Sequence, residues 1–221
     1  MCGRFTPIPR PQVLEDISRE LGIDVAEAVG APPEPEGDIL GPGQCLPFRD
    51  IDALHAADDG RIILRPMQWQ LIHGWNREFR SDYTSFNTRV EKLDRPHNRE
   101  LLIHRRCIVP VREFFENRKE GGRAVRPRES YHFTLKGRAM IPLGGIYSIW
   151  TNPEDADDRR YSCSVITMEP NELIAEIHNR MPFILPREDV ATWLDPGMTD
   201  FGVLLDMIGP YDPQKMSRER E

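Results

Sequence analysis

Twenty prolines are spread through the 221 residues of the chain, nearly twice the usual share of ~5%. Each removes a backbone N–H and fixes φ near −65°, so regular elements stop or bend wherever one falls in their path. Such a chain folds as short elements joined by rigid turns.

Hydropathy periodicity supplies the elements. Pro11 followed by Val13, Leu14, Ile17 and Leu21, with Gly22 just after, predicts an amphipathic helix with proper ends. Met67, Trp69 and Leu71 alternate with Gln68 and Gln70, which is strand periodicity, and Tyr131, Phe133 and Leu135 alternate again. Cys107–Val109 reads as a short apolar run stopped by Pro110, and the β character continues over Tyr161–Met168. Pro170–His178 predicts a helix, Val190–Leu194 a turn or two more, and Phe201–Ile208 a last short helix or strand before Gly209-Pro210. Ala31–Asp38, with Pro32, Pro33 and Pro35, is a loop. Strands dominate the middle and helices flank it. One domain spanning 1–221 is expected, with the charged C-terminal end from about residue 213 a frayed tail.

The formal charge of −7 speaks against bulk coating of nucleic acid, but the charge is segregated. Residues 61–138 hold 18 basic and 9 acidic residues, whereas residues 11–60 hold 2 and 12. The middle block can line an anion-binding groove or form an ordinary salt-bridged surface. No stretch approaches the ~18–20 apolar residues of a membrane span, and the N-terminus has no basic-then-apolar leader, so a cytoplasmic protein with no membrane partner is expected. The four cysteines, Cys2, Cys45, Cys107 and Cys163, form no CxxC pair and show no zinc-ligand spacing. Neither a metal nor another cofactor is implied, and Cys45, Cys107 and Cys163 read as buried thiols.

Cys2 is different. Once Met1 is removed it carries an α-amine titrating near ~7.7–8.0 beside a thiol near ~8.5. That pair can capture an aldehyde as a Schiff base and then close a five-membered thiazolidine ring, helped by intramolecular proximity. A cysteine after the initiator is unremarkable alone, but other segments carry chemistry too. Asn87, Arg89 and Glu91 share one face if the segment is extended, and Arg89 suits a bidentate grip on phosphate or carboxylate. Glu116 follows two aromatics, a setting that raises a carboxyl's pKa and suits it to proton transfer, although a surface glutamate at a strand end fits as well. His178 ends a helix and is a cap, a core residue or a proton shuttle. Trp69 and Trp75 can stack on bases or pack the core.

In order along the chain, Met1-Cys2-Gly3-Arg4-Phe5, Gly41-Pro42-Gly43-Gln44, the Trp69 strand, Asn87-Thr88-Arg89-Val90-Glu91, Arg106–Pro110 with Phe114-Phe115-Glu116, Gly144–Tyr147, Val165-Ile166-Thr167 and Ile177-His178-Asn179-Arg180-Met181-Pro182 resemble one family. It is the SOS-response-associated peptidase (SRAP) domain family of abasic-site processing proteins. The resemblance implies an α+β fold, one compact SRAP-like domain with a β-barrel-like mixed-sheet core flanked by short helices. It implies capture of abasic sites in single-stranded DNA, including sites at junctions with duplex, as a thiazolidine crosslink, with weak lyase activity and autocatalytic loss of Met1. It assigns Cys2 as nucleophile, Asn87 as the residue orienting it, and Glu116 and His178 as the proton-moving pair. Arg4, Arg89, Arg106, Thr167 and Trp69 become DNA contacts. Two alternatives stay open: a cysteine peptidase using Cys2 and His178, and a noncatalytic binder of single strands. The chain departs from the family pattern at Gln70, His73, Thr88, Glu113 and Asn117, which alters the walls of the expected pocket without removing a reacting atom.

Overall fold

The computed structural model describes residues 3–31, 44–120, 123–124 and 129–221. The expected loop Ala31–Asp38 therefore lies outside the described residues beyond Ala31, as does the Gly41–Gly43 motif.

The strands in chain order are β1 (Phe5–Pro7), β2 (Glu27–Ala28), β3 (Asp50–Ala56), β4 (Ile62–Trp69), β5 (Asn87–Arg89), β6 (Arg106–Asn117), a small hairpin β7 (Lys119–Glu120) and β8 (Arg123–Ala124), β9 (Ser130–Leu135), β10 (Ile141–Asn152), β11 (Asp155–Met168), β12 (Met181–Pro182) and β13 (Met216–Arg220). The helices are α1 (Arg10–Asp16), α2 (Pro96–His104), α3 (Glu172–Ala175), α4 (Val190–Leu194) and α5 (Phe201–Asp206). Five strands close on themselves in the order β10-β11-β4-β3-β6, with β6 returning to β10. All neighbours are antiparallel except β11–β4, so the mixed sheet is a barrel, and closure leaves those strands few unpaired edges. The fold is α+β, as expected.

The alternating apolar positions do what their period dictates. Met67 and Trp69, Phe133 and Leu135, and Cys163 and Val165 all lie in one continuous core. α1 starts on Pro11, its last turn widens over Ile17–Leu21, and Gly22 ends it in the left-handed conformation at φ 71°. Cys107 and Cys163 are buried free thiols and Cys45 is half-buried.

Three expectations fail. Pro110 does not stop its strand: β6 runs on to Asn117. Pro110 faces Pro142 across β10, so neither strand misses a donor the other could use, and its other edge falls between the end of pairing with β3 at Ile108 and the start of pairing with β1 at Val111. The helix expected over Pro170–His178 is regular only over α3, capped by the Asn171 side chain accepting from the Ile174 N–H, and a tighter turn then delivers His178. The C-terminal end is not frayed. Met216–Arg220 pairs with β9 from Leu135 to Tyr131, and Asn171 Nδ2 donates to the Tyr211 carbonyl just before it. Among the described residues no helix is long and apolar enough to cross a membrane.

Candidate active site

Glu116 lies near the end of β6 and is 3% exposed; His178 is 2% exposed on the turn after α3. Lys119 N–H donates to the Ile177 carbonyl at 2.9 Å and draws the two segments together. His178 Nε2 then stands 3.7 Å from Glu116 Oε2. The Arg180 N–H donates to His178 Nδ1 at 3.0 Å, so in the neutral ring the proton sits on Nε2, facing the carboxyl. Burial pushes Glu116 up to about 7, opposed by the Lys119 charge. Burial pulls His178 down to about 4, helped by the Lys119 and Arg180 charges. Near neutral pH the pair is a neutral imidazole beside a carboxyl shared between its two protonation states. It can give or take a proton without a large penalty either way.

β5 brings in the next group. It pairs parallel to β11, setting Asn87 opposite Val165, Thr88 opposite Ile166 and Arg89 opposite Thr167. Thr88 Oγ1 lies 2.8 Å from Ser164 Oγ in the core and pins this short strand. Arg89 is exposed, and among the described residues it makes no ion pair. Thr167 is fully buried, and its Oγ1 has no hydrogen-bond partner among the described residues.

Arg180, which sequence reasoning gave no role, ties this corner together. Its Nη1 and Nη2 hold Glu91 at 2.5 and 2.9 Å, and Nη2 also donates to the Thr167 carbonyl at 2.6 Å. The bond to Arg180 holds Glu91 below the usual carboxylate range. The available signal was the pairing of opposite charges, Glu91 and Arg180, in two of the segments that carry the family resemblance.

Two expected DNA contacts are elsewhere. Arg106 is buried and donates to four backbone carbonyls, of Leu102, Ile103, Trp193 and Asp195, at 2.5–2.8 Å. It clamps the C-terminal ends of α2 and α4 and offers no fork to a phosphate. Trp69 is fully buried against Phe5, with ring centroids 4.4 Å apart, and cannot stack on a base. Its Nε1 donates to the Phe86 carbonyl at 2.9 Å, so it positions β5 one residue before Asn87. Arg4 lies over the Phe115 ring, 4.2 Å from its centroid, and its two terminal nitrogens hold Glu221 at 2.9 and 2.5 Å.

Beside Asn87 and Thr88 opens a groove of about 940 Å³. Its walls carry Arg77, Arg80, Lys92 and Arg95, and two aromatics face solvent, Trp75 at 66% and Tyr83 at 80% exposure. Cations with exposed aromatics suit a backbone-and-base ligand. The departures from the family pattern shape it: Gln70 Nε2 donates to the Ser81 and Tyr83 carbonyls and holds the loop bearing Tyr83, while His73 stacks on Trp75 at 4.3 Å. Glu113 turns away to Thr6 and His132, both at 2.8 Å, and Asn117 pairs with Ser130 in the β6–β9 ladder. Cys2 lies outside the described residues. Its neighbour strand is placed, however: Phe5 pairs with Phe114, and the Arg4 carbonyl accepts from Phe115 N–H at 2.9 Å. Continuing that count brings Gly3 level with Glu116.

Comparison with known proteins places the chain in a family. The family model described as SOS response associated peptidase (SRAP) matches residues 1–220. The chain is 33% identical over 218 residues to the abasic site processing protein YoqW of Bacillus subtilis, covering 98% of this chain and 90% of that one. It is 30% identical to the abasic site processing protein HMCES of Pongo abelii, over 71% of this chain and 52% of that one. A crystal structure of a Bordetella bronchiseptica protein superposes over 100% of this chain and 99% of its own with a TM-score of 0.76 at 17% identity. One from Bacteroides thetaiotaomicron gives 0.66 at 27% identity, covering 78% of this chain and 74% of its own. The chain belongs to the SRAP family.

Proposed function

We propose that the protein captures abasic sites in single-stranded DNA by covalent reaction at Cys2 after removal of Met1. The observation that carries this reading is the buried Glu116–His178 pair, level with Gly3 when the β1–β6 register is continued. Ring-opened deoxyribose presents an aldehyde. The Cys2 amine adds to it, the carbinolamine loses water with Glu116 as proton donor, and the Cys2 thiol adds to the imine carbon. The thiol proton ends on nitrogen, which closes the thiazolidine with atoms and electrons balanced. His178, with Nε2–H toward Glu116, steadies the carboxylate left after each transfer, and solvent water returns the proton between steps. Asn87 orients the amine, and Arg89 contacts phosphate from its exposed place beside Thr167. Trp75, not Trp69, serves as the stacking surface. The names of YoqW and HMCES support the abasic site as substrate.

The test is incubation with single-stranded DNA bearing one abasic site, followed by a denaturing gel. A heat-stable adduct that disappears in Cys2→Ala and in a protein with a blocked N-terminus is expected. A normal adduct from either form refutes the mechanism. Peptide cleavage without an adduct would identify a peptidase, and retention that salt abolishes would identify a noncatalytic binder.

A further inference from the structure

The barrel end away from Glu116 is built from a second polar cluster that the proposed chemistry does not use. Arg65 on β4 donates from Nε to His55 Nε2 on β3 at 2.8 Å, and its guanidinium lies 3.8 Å from the centroid of the Tyr161 ring on β11. His55 Nδ1 is 3.0 Å from the Ala56 carbonyl and 3.3 Å from the Tyr147 hydroxyl of β10. That hydroxyl accepts from Arg105 Nη1, at the C-terminal end of α2, at 3.4 Å. The four side chains Arg65, His55, Tyr147 and Arg105 thus form one contiguous chain across three barrel strands and a helix end.

The charge balance of this chain is unusual. Because His55 Nε2 accepts from Arg65, its ring proton is on Nδ1 and the imidazole is neutral. Burial, together with the Arg65 and Arg105 charges, pulls it down to about 4, against the hydrogen bond to the Ala56 carbonyl and the weaker charge of Asp58 in the β3–β4 turn. The cluster therefore holds two guanidinium charges and no cancelling carboxylate. Among the described residues, no Asp or Glu forms an ion pair with Arg65 or Arg105, although both are half-buried and the protein carries 36 acidic residues. By contrast Arg4, Arg10 and Arg180 each hold a carboxylate. Neither half-buried guanidinium has an anion beside it, and Arg65 rests on the Tyr161 ring face instead. Each of the two guanidiniums uses one of its five N–H donors inside the cluster, leaving the rest for a ligand. The planar fork of arginine fits tetrahedral oxyanions bidentately.

We propose that this end of the barrel is a second oxyanion site, in which Arg65 and Arg105 take a phosphate group. It is separate from the crosslinking chemistry: Tyr161 and Thr167 are six positions apart on β11, roughly 20 Å at the strand rise. The phosphate comes from free phosphate or from the end of a nucleic acid strand, and these share the recognition chemistry.

The test uses the full chain at pH 7.5 and fixed ionic strength, titrated with inorganic phosphate against chloride while the melting temperature is followed. A saturable rise of roughly 3 °C is expected once phosphate is tenfold above its dissociation constant. Arg105→Gln should weaken the half-saturation point at least tenfold, and Arg65→Gln likewise. Arg105 makes only one long bond within the cluster, so its variant keeps the test alive if the Arg65 variant unfolds. Arg89→Gln, at the opposite end, should leave the rise intact. A rise that chloride reproduces, that never saturates, that survives in Arg105→Gln, or that is lost in Arg89→Gln would each overturn the proposal. In a second arm, a ten-residue oligothymidine with a 5′-phosphate is compared with its 5′-hydroxyl form. Tighter binding of the phosphorylated strand, lost in Arg105→Gln, assigns the site to strand ends; equal binding alongside a phosphate-induced rise assigns it to free phosphate. Neither arm depends on the reaction at Cys2.

Discussion

Replacing Glu116 by Gln tests the electrostatic reading of the Glu116–His178 pair without asking anything of the DNA. Glu116 is 3% exposed, and burial moves its carboxyl from 4.5 up to about 7. A raised acid keeps its proton in the folded protein while the unfolded chain releases it. Stability is therefore greatest below about pH 4.5 for this group, and falls as pH rises to about 7. The whole displacement is worth on the order of 3 kcal/mol, of which about 2–3 kcal/mol falls between pH 5 and pH 8. Gln keeps the shape and cannot ionise. The melting temperature of Glu116→Gln relative to wild type should therefore climb by about 5 °C from pH 5 to pH 8, at roughly 2 °C per kcal/mol for a chain of this length. His178, pulled down to about 4, adds the opposite slope, stability lost as pH falls below about 6.5, but both proteins share it and it cancels in the difference. Thermal unfolding by circular dichroism at four pH values suffices. A difference that is flat with pH, or larger at pH 5, would mean that Glu116 is ionised in the fold and not poised near neutrality.

Arg106→Ala removes the buried donor to four backbone carbonyls and should cost roughly 3–5 kcal/mol in denaturant unfolding, with the salt dependence of single-strand binding unchanged. Arg89→Ala should do the reverse, leaving stability within about 0.5 kcal/mol and lowering the salt slope by about 1. Trp75→Ala should weaken single-strand binding by about 1–3 kcal/mol, read by fluorescence anisotropy, with no change in melting temperature; Trp69→Ala should instead unfold the protein by about 3–5 kcal/mol.

These paired variants mark where the sequence is readable. Period-two alternation located β4 and β9, the buried half of β11 showed only as β-rich sequence, and Pro11 with Gly22 bracketed the first helix because those residues act locally. Pro110 misled because its fate depends on Pro142, a partner on another strand. The pairing of β13 with β9 is equally nonlocal, and a charged tail carries no sign of it. Within the site, the family resemblance, not residue type, paired Glu116 with His178, and the two do stand 3.7 Å apart. It could not separate Arg89 from Arg106, or Trp75 from Trp69. A guanidinium meets phosphate or backbone carbonyls according to which helix ends arrive beside it, and an indole stacks or packs according to which side of the barrel wall it falls on.

The hydrogen bond from Lys119 N–H to the Ile177 carbonyl bears on when the protein becomes reactive. Glu116 and His178 belong to segments separated along the chain by two barrel strands, β10 and β11. Bringing such distant positions together is the slow, entropically costly part of folding. On the proposed mechanism, the pair that moves protons thus waits on a long-range closure across β10 and β11. A chain caught midway through folding, or still being synthesised short of position 178, has its N-terminal strand but no working acid and base.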